Sequence, residues 1–137
     1  MVRNDGDDVA LISSGIMLQK ALDAANALKD KGIRARVIDM STLKPLDEAA
    51  VLEAAKATNA VVAIEDHSTI GGLGAAVAQV LGQQYPCLLK CIGIPDVFGE
   101  SGPSEVLYAK YHMDVPSIVA ASEKLVARKQ FDGVVLA

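Results

Sequence analysis

Within Ala63 to Gly82, AIEDHSTIGGLGAAVAQVLG, two carboxylates and an imidazole (Glu65, Asp66, His67) stand just ahead of three glycines (Gly71, Gly72, Gly74). A carboxylate beside an imidazole tunes and orients it, which is what general acid-base catalysis needs. Glycines opening a helix suit a phosphate cradle. Neither chemistry is carried through by the surrounding residues. Consecutive side chains point in different directions and no nucleophile is tied to His67 by spacing, so EDH reads as a hydrogen-bonding anchor at the end of a strand. No residue is assigned a catalytic role.

The dinucleotide reading fails on three details. Val77 replaces the third glycine of G-x-G-x-x-G, the glycines come several residues after the strand tip, and Glu65 and Asp66 put negative charge where a pyrophosphate would lie. Asp96, placed after the next strand about where a ribose-binding acid would sit, does not rescue it. Metal ligation finds no better support. Cys87 and Cys91 lack nearby paired His or Cys. As strand residues they would stand about 13 Å apart, beyond the ~7 Å a disulfide spans, so both thiols are expected to be free. His112 falls near a helix end and reads as a C-terminal cap or dipole partner.

The elements that must position these residues follow from the hydrophobic pattern. The 137 residues suit one domain, 1–137, with residues 1–7 as the remnant of a first strand and its arm and 130–137 as a peripheral tail. A net charge of −4 and only 4% aromatic residues leave neither a basic footprint nor stacking rings, so nucleic acid is not an expected partner. Hydrophobic residues make up 51% of the chain and mean hydropathy is +0.30, so more surface asks to be covered than one small domain covers alone. No apolar run approaches the ~20 residues of a spanning helix and MVRNDGDD has no signal-peptide core; no membrane association is expected, and the chain reads as cytoplasmic.

Apolar runs at Asp8–Ser13, Ile33–Met40, Ala60–Ile64 and Cys87–Ile94 predict strands, without the alternation of half-exposed sheets. Helical patterns separate them. Ser13 or Ser14 is positioned to cap a helix that Gly32 stops, Asp47 and Glu48 open a second, and Gly72 to Gly82 forms a third. Two more follow, one from Pro103 to about His112 and one from Val115 to Lys129 capped by Asp114. This order predicts an α/β fold, a three-layer α/β/α sandwich with a mostly parallel sheet. The carboxyl ends of its strands share one rim.

On a helical wheel Leu73, Val77, Val80 and Leu81 make one bulky stripe, and Ala75, Ala78, Gln79 and Gly82 lie opposite. The outer side is smooth and nearly nonpolar, which suits close approach of another chain or domain. The candidate interface therefore comprises Glu65, Asp66, His67, Ala75, Ala78, Gln79 and Gly82. An alternative reading of another class is a freestanding anion-binding module, using the helix amides at Gly71 and Gly72 with Ser68 and Thr69.

The combination KPLD, EDHSTIGGLG and DVFGESG, in this order between about Val2 and Lys129, resembles the C-terminal domain of transketolase. Related domains occur in 1-deoxyxylulose-5-phosphate synthase and in the beta subunit of two-oxo-acid dehydrogenases; EDH and FGESG favour transketolase over both. The resemblance implies a mixed five-stranded sheet whose first strand, here Val2 to Asn4 and so clipped or short, is antiparallel to the rest, and a chain cut from a longer polypeptide. It further implies ketol transfer between sugar phosphates, in the pentose phosphate pathway, by the complete enzyme. Thiamine diphosphate and Mg²⁺ would be held by preceding N-terminal domains in a homodimer. No cofactor or metal is assigned to this chain: it lacks the G-D-G diphosphate motif, and its own role would be structure and dimer contacts.

Overall fold

The computed structural model describes residues 2–15, 17–40, 47–68, 72–94 and 105–136. Five strands form one sheet in the order β1-β3-β2-β4-β5: β1 (Val2–Asp5), β2 (Val9–Ser13), β3 (Ala35–Asp39), β4 (Ala60–Ser68) and β5 (Leu88–Ile94). β1 runs antiparallel to β3, and the other four strands are mutually parallel. The mixed sheet with a short antiparallel first strand is therefore present.

Side-chain alternation divides the core in two. Val9, Leu11, Val37, Val62, Ile64 and Ile92 face one layer, containing α1 (Met17–Asp30), α4 (Glu105–Lys110) and α5 (Val115–Leu136). Ala10, Ile12, Ile38 and Val61 face the other, containing α2 (Glu48–Thr58) and α3 (Leu73–Gln84). Both faces are covered, which is why the strand sequences read as continuous apolar runs.

Local signals set most helix ends. Asp47 is the N-cap of α2 and accepts from the Ala50 amide at 3.0 Å, and Asp114 accepts from the Ser117 amide at 3.1 Å at the start of α5. Gly32 sits at φ 78° just past α1, where the Ile33 amide bonds back to the Leu28 carbonyl. His112, at φ 58° after α4, is a helix-ending residue in which the Met113 amide reaches the Tyr108 carbonyl at 2.7 Å.

Three expectations change. Neither Ser13 nor Ser14 caps α1: Ser13 is the last residue of β2, and the helix starts only after Gly15 turns the chain at φ 63°. β4 runs on to Ser68 through a register irregularity between Ile64 and Ser68, so the strand continues past the expected end at Ile64 and EDH lies within it. The final helix continues past Lys129 to Leu136, taking in most of the segment read as a tail.

Lys129 fastens α5 to the sheet. Its Nζ donates to the Asp8 carbonyl at 2.6 Å and to the Thr58 carbonyl at 2.7 Å, where β2 and β4 begin. Burial pulls this ammonium below its ordinary value, with the Asp8 charge opposing. Lys129→Ala is expected to cost about 1–2 kcal/mol, because two carbonyls lose an ammonium donor. Urea denaturation checks this, and an unchanged midpoint would show that the two contacts contribute nothing.

Candidate functional site

On β4, residues 61 and 63 point toward the layer of α2 and α3, and the same alternation carries Glu65 to that side. There the first turn of α3 lies over the strand. The N-cap of that helix is Gly72, which has no side chain with which to satisfy the opening amides. Glu65 does so from the neighbouring element. Its Oε2 accepts from the Leu73 amide at 2.8 Å and its Oε1 from the Gly74 amide at 3.1 Å. The carboxylate is only 2% exposed. Two charge-assisted bonds and the positive end of the helix dipole compensate its removal from water.

The glycines follow from this carboxylate. A Cβ on Gly72 would land inside the Glu65 carboxyl group, and one on Gly74 would lie 2.8 Å from Cys91 Sγ on β5. Their purpose is close approach of the helix to an internal anion and to the adjacent strand, not room for an external phosphate. Cys91 and Cys87 are both free thiols, as the spacing predicts. Burial pushes the Cys91 thiol up, and the Glu65 charge adds to that while Lys90 opposes it. Burial raises Cys87 as well.

The remaining predicted residues fall as follows. Asp66, His67 and Ser68 belong to the last part of β4, with Ser68 in register with Ile94 of β5. Thr69 and Gly71 lie outside the described residues. Ala75, Ala78, Gln79 and Gly82 are all exposed on α3, while Leu73, Val77, Val80 and Leu81 are buried. The helical wheel therefore assigns both faces correctly. What sequence reasoning missed is Glu65 as the cap of α3. Two signals contain it: the odd-numbered alternation along β4 and the absence of any capping side chain at Gly72.

The site can organise a helix against the rim of the sheet and present a small-residue face outward. Its chemistry is internal. Among the described residues no group of three or more His, Cys, Asp or Glu side chains is placed to hold a metal ion. No helix among them is long and apolar enough to cross a membrane.

A mixed sheet of this order, covered on both faces by helices, defines a three-layer α/β domain. Residues 1–118 match the family model of the transketolase C-terminal domain, and the chain belongs to that family. It is 47% identical to a split-gene transketolase solved as an inactive beta4 tetramer, with a TM-score of 0.87, covering 93% of this chain and 42% of that one. It is also 43% identical over 127 residues to a 6-deoxy-6-sulfo-D-fructose transketolase subunit of Clostridium sp. (strain MSTE9), covering 93% of this chain and 39% of the relative. Against 1-deoxy-D-xylulose-5-phosphate synthase 1 of Geobacter sulfurreducens (strain ATCC 51573 / DSM 12127 / PCA) the identity is 42% over 127 residues, covering 91% of this chain and 20% of the synthase. The chain thus spans at most about two-fifths of the length of these relatives.

Proposed function

We propose that this chain serves as the C-terminal domain of a thiamine diphosphate-dependent transketolase, supplying structure and subunit contacts without being catalytic alone. The observation that carries the reading is the closed chemistry at the rim. Glu65 occupies the α3 amides that a diphosphate would need, while Ala75, Ala78, Gln79 and Gly82 stay bare. That helix end does not fit the cofactor, and the outer face suits a neighbouring protein surface. Thiamine diphosphate and Mg²⁺ belong, on this reading, to N-terminal domains on the same or a separate polypeptide, and the complete enzyme is a cytoplasmic homodimer transferring ketol groups between sugar phosphates of the pentose phosphate pathway. The relatives described as a subunit and as a split-gene product support a partner on a separate chain.

Calorimetric titration of the chain with thiamine diphosphate and Mg²⁺ should show no saturable binding. Two-carbon transfer should appear only after the cofactor-binding domains are added. Micromolar cofactor binding by this chain would overturn the assignment. The 42% identity to the Geobacter synthase favours one second reading, the same domain serving a 1-deoxyxylulose-5-phosphate synthase. Product analysis of the reconstituted enzyme separates the two.

A further inference from the structure

The two edges of the sheet are built differently. β1, at one end of the strand order, is four residues long, carries Arg3 and Asp5, and pairs with β3 through a register irregularity between Val2 and Asn4. Short length, charge and irregular pairing each discourage a further strand from adding to an edge. β5, at the other end, is long and regular. It has seven residues, LLKCIGI, and pairs with β4 in unbroken register from Leu88 to Ile92. Among the described residues no strand lies on its other side, so its outward amides and carbonyls form an open row.

The two faces of β5 are already used. Leu88 and Ile92 pack with the layer of α1 and α5, and Cys87 and Leu89 with that of α2 and α3. The edge is left open beside the half-buried Leu88, Leu89 and Cys91. A regular apolar edge of this kind is a template for the same edge of a second copy, because identical strands offer matching backbone groups. One residue departs from the pattern. Lys90 is the only charged residue in the run CLLKCIGI, stands between Leu88 and Ile92 on the same side of the strand, and is exposed. Lysine is depleted from strands. Among the described residues the Lys90 ammonium forms no hydrogen bond or ion pair that would give it a part in holding the fold.

We propose that Lys90 keeps β5 from pairing with the β5 of a second copy. Strand addition would bring two such lysines into one continuous sheet and draw both ammonium groups toward a covered interface, where each needs a counterion that LLKCIGI does not contain. Over Leu88–Ile92 the strand has no other charge and no irregularity to oppose pairing. The role concerns β5 alone and is independent of the α3 face and of the transketolase assignment.

Sedimentation velocity of the full chain over a range of concentrations, with infrared spectra of the same samples, tests this. Lys90→Val and Lys90→Thr should each raise self-association at least about tenfold over wild type, with an added intermolecular β signal. Threonine isolates the loss of charge from any gain in apolar surface. Lys90→Glu restores a charge at the same position and should sediment as wild type does. Lys56→Val, the same exchange at an exposed position of α2, should also match wild type. Valine and threonine suit a strand, so the urea midpoints of these Lys90 variants should not fall. Lys90→Val and Lys90→Thr proteins that sediment as wild type does, equal association by Lys56→Val, association without the β signal, or association seen only where the urea midpoint has fallen would overturn the proposal.

Discussion

Replacing Glu65 with alanine should lower the unfolding free energy by about 3 kcal/mol, an unusually large effect for a polar residue. Two charge-assisted hydrogen bonds disappear, and the amides of Leu73 and Gly74 are left without their acceptor beneath a packed helix. Each unsatisfied amide costs on the order of 1–3 kcal/mol. Relief from holding a carboxylate away from water returns part of that. Glu65→Gln should fall between, at about 1–2 kcal/mol, because one oxygen still accepts while the charge facing the helix dipole is gone. Gly72→Ala supplies an independent check. In the wild type its methyl collides with the carboxyl group, whereas beside Glu65→Ala that space is open, so the two substitutions together should cost less than their sum. Urea denaturation followed by circular dichroism measures wild type and all four variants. An alanine variant within about 0.5 kcal/mol of wild type would show that solvent replaces the carboxylate freely.

The second large effect is on assembly. Ala75 lies at the centre of the exposed small-residue stripe of α3, so Ala75→Glu places a carboxylate where a partner surface would press. An unpaired buried charge costs several kcal/mol, enough to reduce association by two or more orders of magnitude. On an open surface the same change stays within about 0.5 kcal/mol. Sedimentation of wild type and variant, alone and with the cofactor-binding domains, distinguishes these cases. Helical signal should be the same for both proteins, since Ala75 contributes nothing to the buried stripe of Leu73, Val77, Val80 and Leu81. Assembly that proceeds equally well with glutamate at position 75 would remove the interface from consideration.

How far the sequence discloses this architecture depends on whether a feature is local. Strand runs, the opening of α2 at Asp47 and Glu48, the cap at Asp114, the stop at Gly32 and both faces of α3 depend on residues close together in the chain, and all are legible there. The cap of α3 is not local in this sense. Glu65 acts eight and nine residues ahead of the amides it satisfies, across a strand-to-helix connection whose path the hydrophobic pattern does not specify. The same limit explains α1. A serine just ahead of a helical pattern invites a capping assignment, yet Ser13 is held in β2 by its pairing with Asp39 and Ile64, and the helix waits for Gly15. The extra length of β4 depends on an irregularity in its pairing with β5, which no periodicity encodes.

The bonds from Lys129 to Asp8 and Thr58 join positions 121 and 71 apart in the chain. During synthesis, the sheet and α2 and α3 are complete in sequence well before α5 has left the ribosome, so one face of the nascent sheet still lacks its last helix. That face includes Val9, Leu11, Val62 and Ile64, a row of aliphatic side chains with strong β-propensity. Until α5 emerges and closes over it, the nascent chain offers a template for wrong pairing and a ready surface for holding chaperones. Emergence of α5 is thus the step that covers this row of aliphatic side chains.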